Sequence, residues 1–179
     1  ALGKSLRRET SKTPAKEYTY IGMENVEKNK GTLTNPPLVK GNTIKSQTIE
    51  VPNGYMIYGK LRPYLNKYWL NVTNTPNIVC SSEFFVFDIK ETLNKLYFEY
   101  ILASSIIQEQ ILNVTSGARM PRINEDVFHN LSIPLPPLDV QAEIVAVVQK
   151  QRTKIAECKT TATTLRQEAI TQFEQAIFE

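Results

Sequence analysis

Between Tyr18 and Ile89 aromatic and β-branched residues gather in five short runs, Tyr18–Met23, Tyr55–Leu61, Lys67–Val72, Ile78–Ser81 and Glu83–Ile89. Asn35-Pro36-Pro37, Pro52-Asn53-Gly54, Arg62-Pro63 and Thr75-Pro76-Asn77 punctuate this region. Short apolar runs between turn residues predict the strands of a compact, twisted, largely antiparallel or mixed sheet. From Asn94 the period changes: Leu96, Tyr97, Tyr100, Ile101, Ser104, Ile107 and Ile111 recur at three- and four-residue steps, which predicts one amphipathic helix to about Asn113, stopped by Thr115-Ser116-Gly117. Asn124 reads as the N-cap of a short helix through Phe128, with Glu125 and Asp126 favourably placed in its first turn.

The polar and apolar pattern changes once more after Ile133. Pro134-Leu135-Pro136-Pro137 is stiff, because proline fixes φ and restricts the residue before it. Beyond it Ile144, Val148, Gln151, Ile155, Cys158, Ala162 and Leu165 alternate four- and three-residue steps, and Ala169, Phe173 and Ile177 continue the stripe with a slight drift. A helix of about forty residues is on the order of 60 Å long, more than a domain of this size is wide. It therefore predicts packing against a helix outside its own domain, all the more because the threonine cluster at Thr160, Thr161, Thr163 and Thr164 has modest helix propensity. The fold class expected is α+β: a β-rich domain with packed helices over 1–136, then one long coiled-coil-forming helix over 137–179.

A chain of 179 residues with 41% apolar side chains suits one domain plus an appendage. It has no apolar run of membrane-spanning length and no signal-peptide pattern, so the cytoplasm is the expected compartment and no membrane partner is expected. Cys80 and Cys158 lack metal-site or redox spacing and read as reduced thiols without a catalytic role. The net charge of +3 hides an asymmetry: residues 1–70 hold twelve Lys/Arg against five Asp/Glu, and 71–179 hold nine against thirteen. The first part is suited to a polyanion and the second to protein.

Enzyme chemistry finds little support in the residues. Asn35-Pro36-Pro37-Leu38 approaches the turn with which adenine methyltransferases hold their target amine, but Leu38 supplies no aromatic face and no glycine-rich cofactor turn is present. The single histidine, His129, has no triad or metal-ligand spacing, and no nucleophile with a base appears. No catalytic residue and no metal ligand is expected.

What remains is Gly59-Lys60-Leu61-Arg62-Pro63-Tyr64-Leu65-Asn66-Lys67-Tyr68, a strand–turn–strand that interleaves basic, aromatic and amide side chains. Lys and Arg neutralise phosphates, and Arg and Asn make paired hydrogen bonds to guanine and adenine edges. Composition leaves two readings open, DNA contact and a solvated hairpin tip. Arg119 and Arg122 flank Met120-Pro121, suited either to phosphate or to bracing the domain-helix junction through Glu125 or Asp126. With Lys45 from the basic part, the candidate DNA-binding set is Lys45, Lys60, Arg62, Tyr64, Asn66, Lys67, Arg119 and Arg122.

Four segments in order resemble the DNA-specificity (S) subunits of type I restriction-modification systems. They are Tyr58 to Lys67, Cys80-Ser81-Ser82-Glu83-Phe84-Phe85-Val86, Gly117-Ala118-Arg119-Met120-Pro121-Arg122-Ile123, and Ile133-Pro134-Leu135-Pro136-Pro137-Leu138-Asp139-Val140-Gln141 leading into the helix. The resemblance implies a non-catalytic target recognition domain and a spacer helix. In that family each recognition domain reads one half of a split double-stranded DNA site. Two spacer helices pack antiparallel, and methyltransferase (M) and restriction/motor (R) subunits assemble around them. S-adenosylmethionine is then expected on the methyltransferase subunit only. A complete subunit has two domains and two helices; one of each here implies a half-subunit or fragment, paired as a homodimer or with a second recognition half. The expected helix interface is Ile144, Val148, Ile155, Ala162, Leu165 and Phe173. The rival expectation is a protein-interaction module using the coiled-coil helix, with DNA contact incidental.

Overall fold

The computed structural model describes residues 2–6, 10–114 and 120–178. The chain divides into two compact units, residues 1–138 and 139–179. Among its described residues the first holds two four-stranded sheets. One is wholly antiparallel in the order β1 (Leu2–Ser5), β8 (Phe84–Ile89), β5 (Met56–Gly59), β6 (Tyr68–Leu70). The other runs β3 (Leu38–Lys40), β2 (Glu17–Ile21), β7 (Ile78–Ser81), β4 (Thr48–Glu50), with β2 and β7 parallel at its centre and antiparallel neighbours outside them.

The apolar runs that announce β5 and β8 have no polar alternation because both faces of their sheet are covered. Along β8, Phe84 and Val86 join Ile57, Trp69, Ile21, Ile49 and Cys80 in the core cluster shared by strands of both sheets. Phe85 and Phe87 take the opposite face, as strand alternation requires. There they meet the ring of Phe128 at 5.7 and 5.5 Å between centroids, and Tyr58 meets it at 4.5 Å. Phe87 also packs edge-on against Phe98 of the first helix. Each such buried side chain contributes roughly 1.5–3 kcal/mol. The antiparallel sheet therefore has the mixed sheet on one side and helices on the other.

Sequence periodicity predicts a single helix from Asn94, but two form: α1 (Lys95–Ala103) and α2 (Ser105–Val114). Asn94 caps α1 by accepting from the amides of Leu96 and Tyr97 at 3.0 and 3.1 Å. The break falls at Ser104, whose backbone is extended and whose hydroxyl donates to the Ile101 carbonyl at 2.6 Å, a local bond that competes with the helical ladder. The Leu102 carbonyl is thereby available to another partner. The proposed stop at residues 115–117 lies outside the described residues. α3 (Glu125–His129) forms where Asn124 predicts it, but Asn124 makes no side-chain cap bond. The Glu125 carboxylate instead accepts from the Ser5 amide at 3.0 Å and ties α3 to β1. Periodicity also missed the short strands β1, β3 and β4.

Among the described residues of the second unit there is one helix, α4 (Leu138–Phe178), 41 residues long. Thr160, Thr161 and Thr163 donate their hydroxyls to carbonyls four residues back, which satisfies the side chains inside a continuous helix. Ile144, Ile155, Ala162, Leu165 and Phe173 are exposed and Val148 is half-exposed. No helix among the described residues is long and apolar enough to cross a membrane.

The two thiols differ sharply. Burial pushes the Cys80 thiol up to about 12, whereas Cys158 is exposed. A thiol-reactive probe at about pH 8 is expected to titrate one group in the folded chain and the second only after denaturation, because the reactive species is the thiolate. Two rapidly reacting thiols would show that the sheet does not shield Cys80.

Candidate nucleic-acid interface

The segment joining β5 to β6 is held by its own backbone. Pro63–Leu65 forms a single 3-10 turn, closed by Leu65 N donating to Arg62 O at 2.8 Å and Asn66 N to Pro63 O at 2.9 Å. Both residues flanking the turn are left-handed, Arg62 at φ 49° and Asn66 at φ 45°. Asparagine tolerates that conformation; arginine seldom adopts it. Two attachments hold Arg62 there: its amide donates to Pro121 O at 2.8 Å, and Leu61 bridges Arg122 as in an antiparallel ladder. The buried Tyr58 hydroxyl donates to Pro63 O at 3.1 Å from below, and burial holds that phenol well above its ordinary range.

Around this turn the polar side chains predicted to face DNA separate into two groups. Lys60 is half-buried, donates to Ser82 O at 2.6 Å, and lies 5.1 Å from the centre of the Phe85 ring. Lys67, also half-buried, donates to Met23 O at 2.6 Å. Asn66 is 1% exposed. Its amide donates to Leu102 O at 2.6 Å, the carbonyl made available by the helix break, and to Asn29 Oδ1 at 2.7 Å. The structure corrects Asn66 from a base-reading candidate to an internal strut: an amide this deeply buried and doubly engaged presents nothing to a groove.

Arg122 differs from expectation too. It makes a two-point ion pair with Glu83, Nε to Oε2 at 3.0 Å and Nη2 to Oε1 at 3.1 Å, rather than bracing the junction through Glu125 or Asp126. The Glu83 hydrogen bonds, with its charge, hold the guanidinium above its ordinary pKa. Glu83 sits in the turn where the chain crosses from β7 in one sheet to β8 in the other, so the pair fastens the residue-122 segment to that corner. Arg119 lies outside the described residues.

Arg62 and Tyr64 are left at the surface of the turn. Arg62 is exposed, Tyr64 is 37% exposed, and among the described residues no carboxylate pairs with the Arg62 guanidinium. Lys45 is exposed elsewhere, on a groove of about 240 Å³ lined also by Tyr20, Val39, Thr43, Ile44 and Ser46. Lys12 donates to Ser46 O at 2.6 Å, and Lys16 stands 5.7 Å from the centre of the Tyr18 ring. Apart from Lys45, this second cluster of lysines and tyrosines on the mixed sheet escaped sequence reasoning, because its members are scattered over residues 12–46 and meet only where the segments flanking the paired strands β2 and β3 are tied together. Among the described residues no group of His, Cys, Asp or Glu could hold a metal ion.

The unit carries a rigid turn that presents an arginine and, on its other sheet, a cluster of exposed lysines. Residues 2–165 match the family model described as the type I restriction modification DNA specificity domain, and the chain belongs to that family. It is 26% identical over 131 residues to the Type I restriction enzyme EcoDI specificity subunit of Escherichia coli, covering 73% of this chain and 28% of that subunit. Its fold resembles the crystal structure of the HsdS subunit from Thermoanaerobacter tengcongensis, with TM-score 0.70, 23% identity, and coverage of 86% of this chain and 41% of the other. A chain in a structure addressing complex assembly and conformational transition of the type I R-M system gives TM-score 0.74 at 21% identity, covering 98% of this chain and 46% of the other. The chain thus spans less than half the length of each of these relatives. The α+β architecture with a long terminal helix agrees with both structures.

Proposed function

We propose that this chain is a non-catalytic DNA-reading element that directs methyltransferase and restriction subunits to one half of a split site, with residues 1–136 as reader and α4 as spacer and dock. Arg62 carries the reading. A guanidinium held out from a doubly anchored left-handed backbone, while Lys60, Asn66, Lys67 and Arg122 are engaged in the scaffold, is suited to the paired hydrogen bonds that identify guanine in the major groove. Tyr64 beside it supplies an aromatic surface and a hydroxyl. Lys45 and the lysines near it provide phosphate contacts, which fix register and affinity without reading sequence. In this scheme S-adenosylmethionine binds the methyltransferase subunit, and α4 pairs with a second long helix, from another copy or from a second recognition half.

Selection of duplexes from a random pool by the chain, with its methyltransferase subunit present, tests the proposal. Enrichment of a short motif that Arg62→Ala no longer enriches is expected. Salt-dependent retention with no motif enriched would instead leave a protein-interaction module with incidental DNA contact. Lys45→Ala separates positioning from reading: it is expected to weaken binding to all duplexes uniformly and to reduce the slope of log affinity against log salt by about 1. Changed sequence preference in that variant would move Lys45 to the reading group.

A further inference from the structure

The backbone ahead of the reading turn changes partners at Lys60. Gly59, the last residue of β5, pairs with Phe84 of β8, and just beyond it Lys60 N donates to Glu83 O at 2.8 Å. From there the neighbour is the segment 121–123: Ile123 N donates to Lys60 O at 3.0 Å, Leu61 bridges Arg122, and Arg62 N donates to Pro121 O at 2.8 Å. The left-handed Arg62 thus leans on a segment that belongs to neither sheet. That segment alternates as an extended chain does, with Pro121 and Ile123 buried and Arg122 exposed. Its one polar side chain, Arg122, makes the two bonds to Glu83 at 3.0 and 3.1 Å. Glu83 therefore grips both sides of the ladder, Lys60 through its carbonyl and Arg122 through its carboxylate.

From this grip we infer that Glu83 is a positioning residue for sequence reading: without contacting a base, it keeps Arg62 in the reading conformation by clamping the 121–123 segment. The inference rests on the proposal that Arg62 reads. A solitary exposed ion pair contributes little, but a two-point arginine–carboxylate pair is the geometry in which a surface pair holds. A strained backbone persists only where its surroundings over-determine it, so removing one support shifts the turn toward conformations that misdirect the guanidinium. Apparent affinity for the cognate site then falls with the fraction of chains that remain competent.

Glu83→Gln tests this, because it keeps the side chain's shape but sets an NH2 group against a guanidinium donor and leaves the backbone carbonyl in place. Hydrogen exchange without DNA is expected to quicken about two- to fivefold at the Arg62 and Ile123 amides. It should stay unchanged at the Gly59 amide, which donates to Lys67 O at 2.8 Å. With the methyltransferase subunit present, the duplex that the unaltered chain selects is competed against a shuffled duplex of the same composition. Discrimination between them is expected to fall about two- to fivefold. Affinity for the shuffled duplex should hold or rise, because the substitution removes a negative charge beside Arg122. In an Arg62→Ala background the same substitution should cost no further discrimination, the mark of action through Arg62. Unchanged exchange at Arg62, or discrimination kept while Arg62→Ala loses it, would overturn the inference and leave Arg62 as the reader. Equal losses on both duplexes, or a full further loss in the Arg62→Ala background, would overturn it as well. Discrimination kept by Arg62→Ala would overturn the reading itself and the inference with it.

Discussion

Arg62→Gly is expected to make the recognition domain more stable and a worse reader of DNA. A left-handed backbone costs a non-glycine residue roughly 1–3 kcal/mol, and the flexibility of glycine in the unfolded chain takes back roughly 0.5–1 kcal/mol. A net gain of about 1 kcal/mol in a denaturant melt follows. The same substitution removes a guanidinium whose paired hydrogen bonds to one base discriminate by roughly 1–3 kcal/mol, so specific binding falls about five- to 150-fold in a gel-shift titration. Arg62→Ala is expected to lose binding equally with no gain in stability, since alanine keeps the strained φ. Arg62→Lys is expected to keep the salt dependence and lose discrimination, because an ammonium has the charge without the planar fork. The opposite signs on stability and binding mark strain retained at a reading site. Arg62→Gly binding its selected duplex as the parent does would remove Arg62 from that role.

The same turn shows which parts of the site the sequence could disclose. Its place between β5 and β6 was legible, because Tyr55–Leu61 and Lys67–Val72 are dense in strand-forming residues and Arg62-Pro63 breaks them. α4 was legible to within one residue at its start, because the proline bridge ends there and no helix breaker follows it. Asn66 was misassigned, because an amide serves a buried strut as well as a base edge and only the break at Ser104 exposes the Leu102 carbonyl that engages it. Lys60 and Lys67 show the same ambiguity: composition counts charges, but whether an ammonium reaches solvent or a nearby carbonyl depends on how the β7–β8 corner and Met23 pack around it. Glu83 as the partner of Arg122 was out of reach for a similar reason, since the two lie 39 positions apart and meet only through the crossing between sheets. Division of two sheets was hidden too, because β1, β3 and β4 are three or four residues long and bear no pattern of their own.

Asn66→Ala is expected to destabilise the domain by roughly 3 kcal/mol while leaving DNA recognition intact wherever the chain is folded. Two donors are lost, those to Leu102 O and Asn29 Oδ1; Leu102 O keeps only the longer bond from Gln108 Nε2 at 3.3 Å, and weakening the pairing of a buried carbonyl in this way costs roughly 1–3 kcal/mol. Alanine also tolerates φ 45° less well than asparagine does. Asn66→Gly isolates the second contribution: it loses the same bonds but relieves the backbone, so it should be about 1 kcal/mol milder than Asn66→Ala. Asn66→Asp should be the most damaging near neutral pH, because a carboxylate would face two oxygens where the amide nitrogen now donates. Urea melts rank the three, and binding to the selected duplex, measured well below each midpoint, is expected to stay within about twofold of the parent. That pattern separates a residue that holds the turn in place from one that reads. Loss of sequence preference in Asn66→Gly with its stability unaltered would return Asn66 to the DNA face and show that the strut opens when the duplex binds.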